Sequence, residues 1–229
     1  MRGSILKNDS TSVPSEDRAI SLNELAYLRF RQALITLHYK PGDYLNMAQV
    51  MVDLEVGRTP VNQAVHRLSA EGLLQILPRK GVMVSPLSVD DALELIEVRL
   101  VNEQLCTRLA AARITPAQIE QLREVNTRLA EACRQRNSLT MMECDNQFHH
   151  LLAAIAANRR LMDILSIIHA QAQRFWATTL ADSGHVEEVI TEHNAIVDAL
   201  EAGNVDMAEI ATRRHILSSK HALLAVTTR

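Results

Sequence analysis

The sequence predicts a mainly α-helical protein in two parts: a short unit of helices closed by a β-hairpin, then an antiparallel bundle of six helices. Three observations carry this. Between residues 56 and 73, Val61, Ala64, Val65 and Leu68 recur at helical spacing, leaving Arg58, Thr59, Asn62, Gln63 and His66 on the opposite face. Two short β-prone runs, residues 73–77 and 82–85, flank Pro78-Arg79-Lys80-Gly81. From Ser88 onward there is no strand-like run, and aromatic residues make up only 3% of the chain.

The elements follow in order. Residues 1–20 are polar and aperiodic and read as a disordered arm. Ser21-Leu22-Asn23-Glu24 has the pattern of a capping box, which predicts a helix over residues 22–38 with Leu25, Leu28, Ala33 and Leu37 turned inward. Lys40-Pro41-Gly42-Asp43 ends it. Asn46 can cap a short helix over 47–54, with Val50, Met51 and Leu54 facing in, and Glu55-Val56-Gly57 turns the chain into the helix beginning near Arg58. Two helices joined by a tight turn, the second with a polar outer face, make a helix-turn-helix. The hairpin behind it is then a wing, whose Arg79, Lys80 and Gly81 stand at a basic tip suited to phosphate or the minor groove.

Pro86-Leu87-Ser88 forms the joint between a DNA-binding unit, residues 21–86, and a helical unit, residues 87–229. Helices are expected over 89–113, 116–135, 139–157, 160–181, 186–202 and 205–227. Thr115-Pro116 caps one, Ser183-Gly184 interrupts the chain, and Ala202-Gly203-Asn204 stops another.

Charge agrees with this division. Residues 1–86 carry ten Lys/Arg against eight Asp/Glu, whereas residues 87–229 carry fourteen against nineteen, so only the first part suits a polyanion. Three cysteines, Cys106, Cys133 and Cys144, share no CxxC spacing and argue against a disulfide scaffold. No apolar run has the length of a signal peptide or membrane span, so a cytoplasmic protein without membrane contact is expected.

Lys40-Pro41-Gly42-Asp43-Tyr44-Leu45, Val56-Gly57-Arg58-Thr59-Pro60-Val61, Arg67-Leu68, Glu71-Gly72-Leu73 and Pro78-Arg79-Lys80-Gly81-Val82 together resemble the winged helix-turn-helix of the GntR family of bacterial transcription regulators. The resemblance implies binding to palindromic double-stranded operator DNA as a homodimer. Many members have Ser where this chain has Gly57, and Arg-Glu where it has Asn62-Gln63. Because Arg pairs with guanine while Asn and Gln suit adenine, Arg58 is the expected guanine reader, and the base facing Asn62 should differ from the usual operator.

In the helical part, Asp145 and His149 stand four apart on one helix, so both can face one ion. His193 and His215 lie within other expected helices. One carboxylate and three imidazoles suit zinc, with nickel or manganese as alternatives, although spacing alone equally allows separate hydrogen-bonded histidines. The run Asp145-x-x-Phe148-His149-x-x-Leu152, with Ala156-Ala157-Asn158 and Leu161, and the run Glu192-His193-x-x-Ile196-x-x-Ala199-Leu200 resemble the FCD effector domain of FadR-type GntR regulators, in its VanR-like six-helix form. That resemblance implies a divalent metal held by Asp145, His149, His193 and His215, and a small carboxylate effector.

It also covers Arg99 and Glu103, where Arg99 could pair with the ligand carboxylate and Glu103 orient it; an ordinary surface pair is the alternative. Arg174, Arg213 and Arg214 read as solvated, and His150, His169, His185 and His221 as structural or exposed. Trp176 reads as a bundle or pocket-wall residue, and Cys144 as a core thiol. Two other functions fit the same residues: a metal-dependent enzyme acting on a small acid, against which stands the absence of an HExxH arrangement, and a direct metal sensor.

Overall fold

The computed structural model describes residues 20–179 and 183–227. The arm expected over residues 1–20 lies outside them, apart from Ile20.

Among the described residues the fold is mainly α with one two-stranded sheet. The elements are α1 (Leu22–Ile35), α2 (Met47–Asp53), α3 (Arg58–Ala70), β1 (Leu74–Leu77), β2 (Gly81–Val84), α4 (Val89–Ala111), α5 (Pro116–Arg134), α6 (Ser138–Ile155), α7 (Arg159–Thr179), α8 (Ser183–Glu201) and α9 (Val205–Thr227). α8 begins at Ser183, so Ser183-Gly184, expected to interrupt the chain, instead opens this helix.

Ser21 caps α1 by accepting from the Glu24 amide at 3.2 Å. The other half of the expected capping box is absent: the Glu24 carboxylate instead accepts from Arg67 Nη1 of α3 at 2.8 Å. α1 also stops earlier than expected. Leu37 adopts φ 58°, and the His38 amide donates back to Ala33, closing the helix with a left-handed residue where glycine is the usual choice. The buried face is Ala26, Tyr27, Phe30, Leu34 and Ile35; Leu28, expected inside, is 44% exposed.

α1 packs on α3, whose Val61, Ala64, Val65 and Leu68 are buried as expected. Burying side chains such as Phe30, Leu34 and Leu68 contributes roughly 1.5–3 kcal/mol each. β1 and β2 pair antiparallel from Leu74 with Val84 to Leu77 with Gly81, and Tyr44 bridges to Met83 on the outer edge. Residues 78–80 form the wing tip between them.

Behind the wing, α4 packs along α9, α9 along α8, and α5 against both α6 and α8. α7 packs on α4 and α6 and also touches α1. It joins the two parts through three side chains. Gln171 Nε2 donates to the Glu71 carbonyl at the C-cap of α3 at 2.7 Å, Arg174 donates to the Ser85 carbonyl just beyond β2, and Arg31 of α1 donates to the Ser166 carbonyl. Gly72 is needed at this junction: its φ is +77°, and a Cβ there would stand 2.8 Å from Gln171 Nε2.

Candidate functional site

The outer face of α3 presents Arg58, Thr59, Asn62, Gln63 and His66 to solvent, one turn and two turns along from an N-terminus capped only by Gly57 backbone. Arg79, Lys80 and Gly81 are exposed at the wing tip, with Arg79 at φ 64° and Gly81 at φ 96°. The back of α3 is held by a network that runs from buried Tyr27 and Glu71 to the exposed Arg67. Tyr27 donates to Glu71 Oε1 at 2.7 Å, the Arg31 guanidinium lies 3.3 Å from Glu71 Oε2, and the Arg67 guanidinium stacks over the Tyr27 ring.

In the bundle, α6, α8 and α9 bring Asp145, His149, His193 and His215 together, all buried. Nε2 of His215 and Nε2 of His149 stand 3.3 Å apart, and Asp145 Oδ1 lies 3.8 Å from both His149 Nε2 and His193 Nε2. Each imidazole is held from outside by an oxygen. Asn126 Oδ1 lies 3.1 Å from His193 Nδ1, Glu192 Oε2 lies 3.2 Å from His215 Nδ1, and Glu103 Oε2 lies 3.3 Å from His149 Nδ1, the last as a charge contact rather than an aligned hydrogen bond. Phe148 stacks flat on His193, centroid to centroid 3.8 Å, fixing that ring's plane.

Acceptors on the outer nitrogens place the protons there, so the Nε2 lone pairs converge on one point. Two such lone pairs 3.3 Å apart repel unless a proton on one nitrogen or a metal ion sits between them. Ligand atoms on a tetrahedral ion with bonds of about 2.0–2.1 Å stand about 3.3 Å apart, so the residues present fit a divalent metal.

Burial, and after it His215 and His149, hold the His193 imidazole well below its ordinary range, keeping it neutral. Burial pulls His149 down too, but the Glu103 and Asp145 carboxylates outweigh it and its value is raised. Glu103 is the hub of the inner wall. Burial would raise it, yet Arg99 foremost, then His149 and His169, hold it well below the usual carboxylate range. Arg99 Nε donates to Glu103 Oε1 at 2.7 Å, and both side chains are buried, so the pair is not an ordinary surface pair.

A cavity of about 50 Å³ opens beside these groups, lined among others by Arg99, Asp145, His149, His169, Trp176 and His215. Of the histidines expected to be structural or exposed, His169, 3.4 Å from Glu103 Oε1, and His185 are buried in the cavity wall. One expectation is corrected. Arg174 is buried, not solvated, and burial brings its guanidinium down to about 10. Arg213 and Arg214 are exposed, and Cys144 is a buried core thiol, as expected. The roles of Phe148, Asn126 and Glu192 in holding the histidines were not anticipated; only the adjacency Glu192-His193 hinted at one of them.

A winged helix-turn-helix joined through one helix to a bundle with a buried donor cluster defines a two-part transcription regulator. Residues 22–84 match the bacterial regulatory proteins of the gntR family, and residues 94–218 match the FCD domain. The chain belongs to the GntR family, in its FadR-type branch with an FCD domain, a family of regulators rather than enzymes. It is 29% identical over 196 residues to the HTH-type transcriptional repressor RspR of Escherichia coli K12, covering 85% of this chain and 86% of that one. It is 30% identical over 128 residues to the Nta operon transcriptional regulator of Aminobacter aminovorans, a match spanning 56% of this chain and 60% of that protein. Among solved structures, E. coli McbR/YncC superposes with a TM-score of 0.83 at 17% identity, over 90% of this chain and 98% of that one. A GntR regulator from Rhodococcus sp. RHA1 gives 0.73 at 21% identity, over 89% and 97%. At these identities the structural likeness is one of fold. Among the described residues no helix is long and apolar enough to cross a membrane.

Proposed function

We propose that this protein is a cytoplasmic, effector-responsive transcription regulator that binds a palindromic operator as a homodimer and senses a small carboxylate at a metal site in its bundle. The observation that carries the sensing half is the convergence of three buried imidazole nitrogens, each ring braced from behind, beside a cavity that also receives Arg99. Asp145, His149, His193 and His215 hold the ion, zinc first, with nickel or manganese as alternatives. An ion held by these four side chains would take a carboxylate by expanding beyond four-coordination. Arg99 supplies a second contact through its Nη groups, since its described hydrogen bond runs through Nε.

In the DNA-binding half, Arg58 reads guanine, Asn62 and Gln63 set the local base preference, and Thr59, His66, Arg79, Lys80 and Gly81 contact backbone or groove. Homodimerisation is supported by an apolar stripe on α4: Val98, Val101 and Leu105 fall at i, i+3 and i+7 and are 47%, 70% and 43% exposed. α7 couples the halves. His169 and Gln173 line the cavity, while Gln171 and Arg174, on the same two turns, hold the end of the recognition helix and the exit of the wing. An effector alters operator affinity by favouring one placement of α7 over another.

Reciprocal variants test the reading. Arg58→Ala should lose specific operator binding and keep its metal, by elemental analysis. His193→Ala should keep basal operator binding and lose both metal and effector response. Operator binding that followed zinc alone, with no organic acid able to change it, would replace this reading with a direct metal sensor.

A further inference from the structure

The cavity beside the donor cluster is lined by two kinds of side chain, and their chemistry narrows what can enter. Arg99, Asp145, His149 and His215 bring charge and metal-ligating atoms. Ala92, Leu95, Ile96, Ala172, Phe175 and Val189 supply an apolar lining.

Much of the remaining polar lining is already engaged. Gln173 Nε2 donates to the Met142 carbonyl at 3.2 Å and Ser219 Oγ donates to the His215 carbonyl at 3.3 Å, while His169 Nε2 makes only a charge contact with Glu103. A ligand rich in hydroxyls would strip them of water without replacing their hydrogen bonds.

Charge narrows the class again. Glu103 already neutralises Arg99, and Asp145 and Glu192 together offset a divalent ion. One entering carboxylate adds a single negative charge beside Arg99 and the histidines. A second would have to sit uncompensated against the apolar wall.

Size sets the last limit. About 50 Å³ corresponds to roughly three to five water-sized positions.

We propose that this cavity selects a short-chain aliphatic monocarboxylic acid, its carboxylate between Arg99 and the histidine cluster and its chain against Ala92, Ile96, Val189 and Trp176. The inference rests on the sensing role argued above and adds the class of effector to it.

The test is a set of binding isotherms and melting scans on the zinc-loaded full chain with butyrate, succinate, gluconate and octanoate. Butyrate should bind at least ~tenfold more tightly than the other three. Ala92→Leu fills space along the apolar lining and should weaken butyrate by about tenfold, the order expected for two methylenes losing their burial, while zinc content stays unchanged. Ile96→Ala enlarges the space along the same lining and should shift preference toward hexanoate, so the idea stays testable if the leucine variant folds poorly. Tighter binding of succinate or gluconate, or butyrate binding indifferent to both substitutions, overturns the class of ligand and leaves the sensing role standing. A zinc-loaded protein that binds no carboxylate at all overturns both.

Discussion

Asn126→Leu isolates the geometry of the proposed metal site from its ligand count. Asn126 is 3% exposed, and its Oδ1 is the acceptor 3.1 Å from His193 Nδ1, while its Nδ2 donates to Asn194 Oδ1 at 2.9 Å. Leucine is close in volume, so packing changes little. The loss falls on His193, whose Nδ1 proton has no other described acceptor. The proton either stays buried without a partner, at a cost of roughly 1–3 kcal/mol, or moves to Nε2 and removes the lone pair that faces the ion. Losing such a bracing contact typically costs 10–100-fold in metal affinity, about 1.4–2.7 kcal/mol. With zinc in fixed excess, the melting temperature should fall by about 3–10 °C for a chain of this size. Competition against a chelating dye reads the affinity, and melting scans with and without EDTA read the linked stability. Asn126→Asp keeps an acceptor and should retain zinc affinity near that of the unaltered protein. An Asn126→Leu protein that binds zinc as tightly as the unaltered one would refute the assignment of Nε2 of His193 as a ligand.

Other parts of the structure predict separable outcomes. Asn62→Ala should relax discrimination at one operator position by about 1–3 kcal/mol, whereas Arg79→Ala should weaken all sequences alike and lower the salt slope by about one; selection from a randomised half-site and titrations at several salt concentrations read the two. Gly72→Ala, which forces a left-handed alanine against Gln171, should cost about 1–2 kcal/mol and blunt the effector response without changing zinc content; a normal response would show that the contact carries no signal. Val101→Arg places a charge in the most exposed apolar position of α4 and should give monomers by light scattering with unchanged helix content; a variant that stayed dimeric would move the interface elsewhere.

Periodicity and turn chemistry made the DNA-binding half legible to near residue detail. Val61, Ala64, Val65 and Leu68 repeat at helical spacing around a face that is otherwise polar, and the wing turn is marked by Pro78 and Gly81. α1 was less transparent. Its apolar residues surround the helix, and the buried face is decided by Tyr27 and Phe30 packing on α3 rather than by Leu25 and Leu28. The four residues of the buried donor cluster were visible through their motif, but not the oxygens behind them. Asn126 is one of many polar residues on α5, and only the approach of α8, 67 residues later, gives it a partner. Arg174 was misread because a polar residue on an amphipathic helix is assigned to solvent, and here its polar surroundings are the junction with the wing; for His169 and His185, expected to be structural or exposed, the pattern could not choose between solvent and an internal cavity.

That same ambiguity explains why one helix can serve both halves. A helix facing only the core would need a uniform apolar stripe, whereas α7 alternates cavity-facing His169 and Gln173 with junction-facing Gln171 and Arg174 within six residues. The two sets lie on different sides of a rigid rod, so a small rotation that improves contact with a ligand must disturb the bonds to Glu71 and Ser85. With Arg31, which donates to both the carbonyl and the Oγ of Ser166, three side chains carry hydrogen bonds across the junction among the described residues. At a net value of about 1 kcal/mol each, they match the ~1–3 kcal/mol over which coupled sites usually communicate. A junction much stronger than this would lock the wing in one place, and one much weaker would leave the operator affinity indifferent to the bundle.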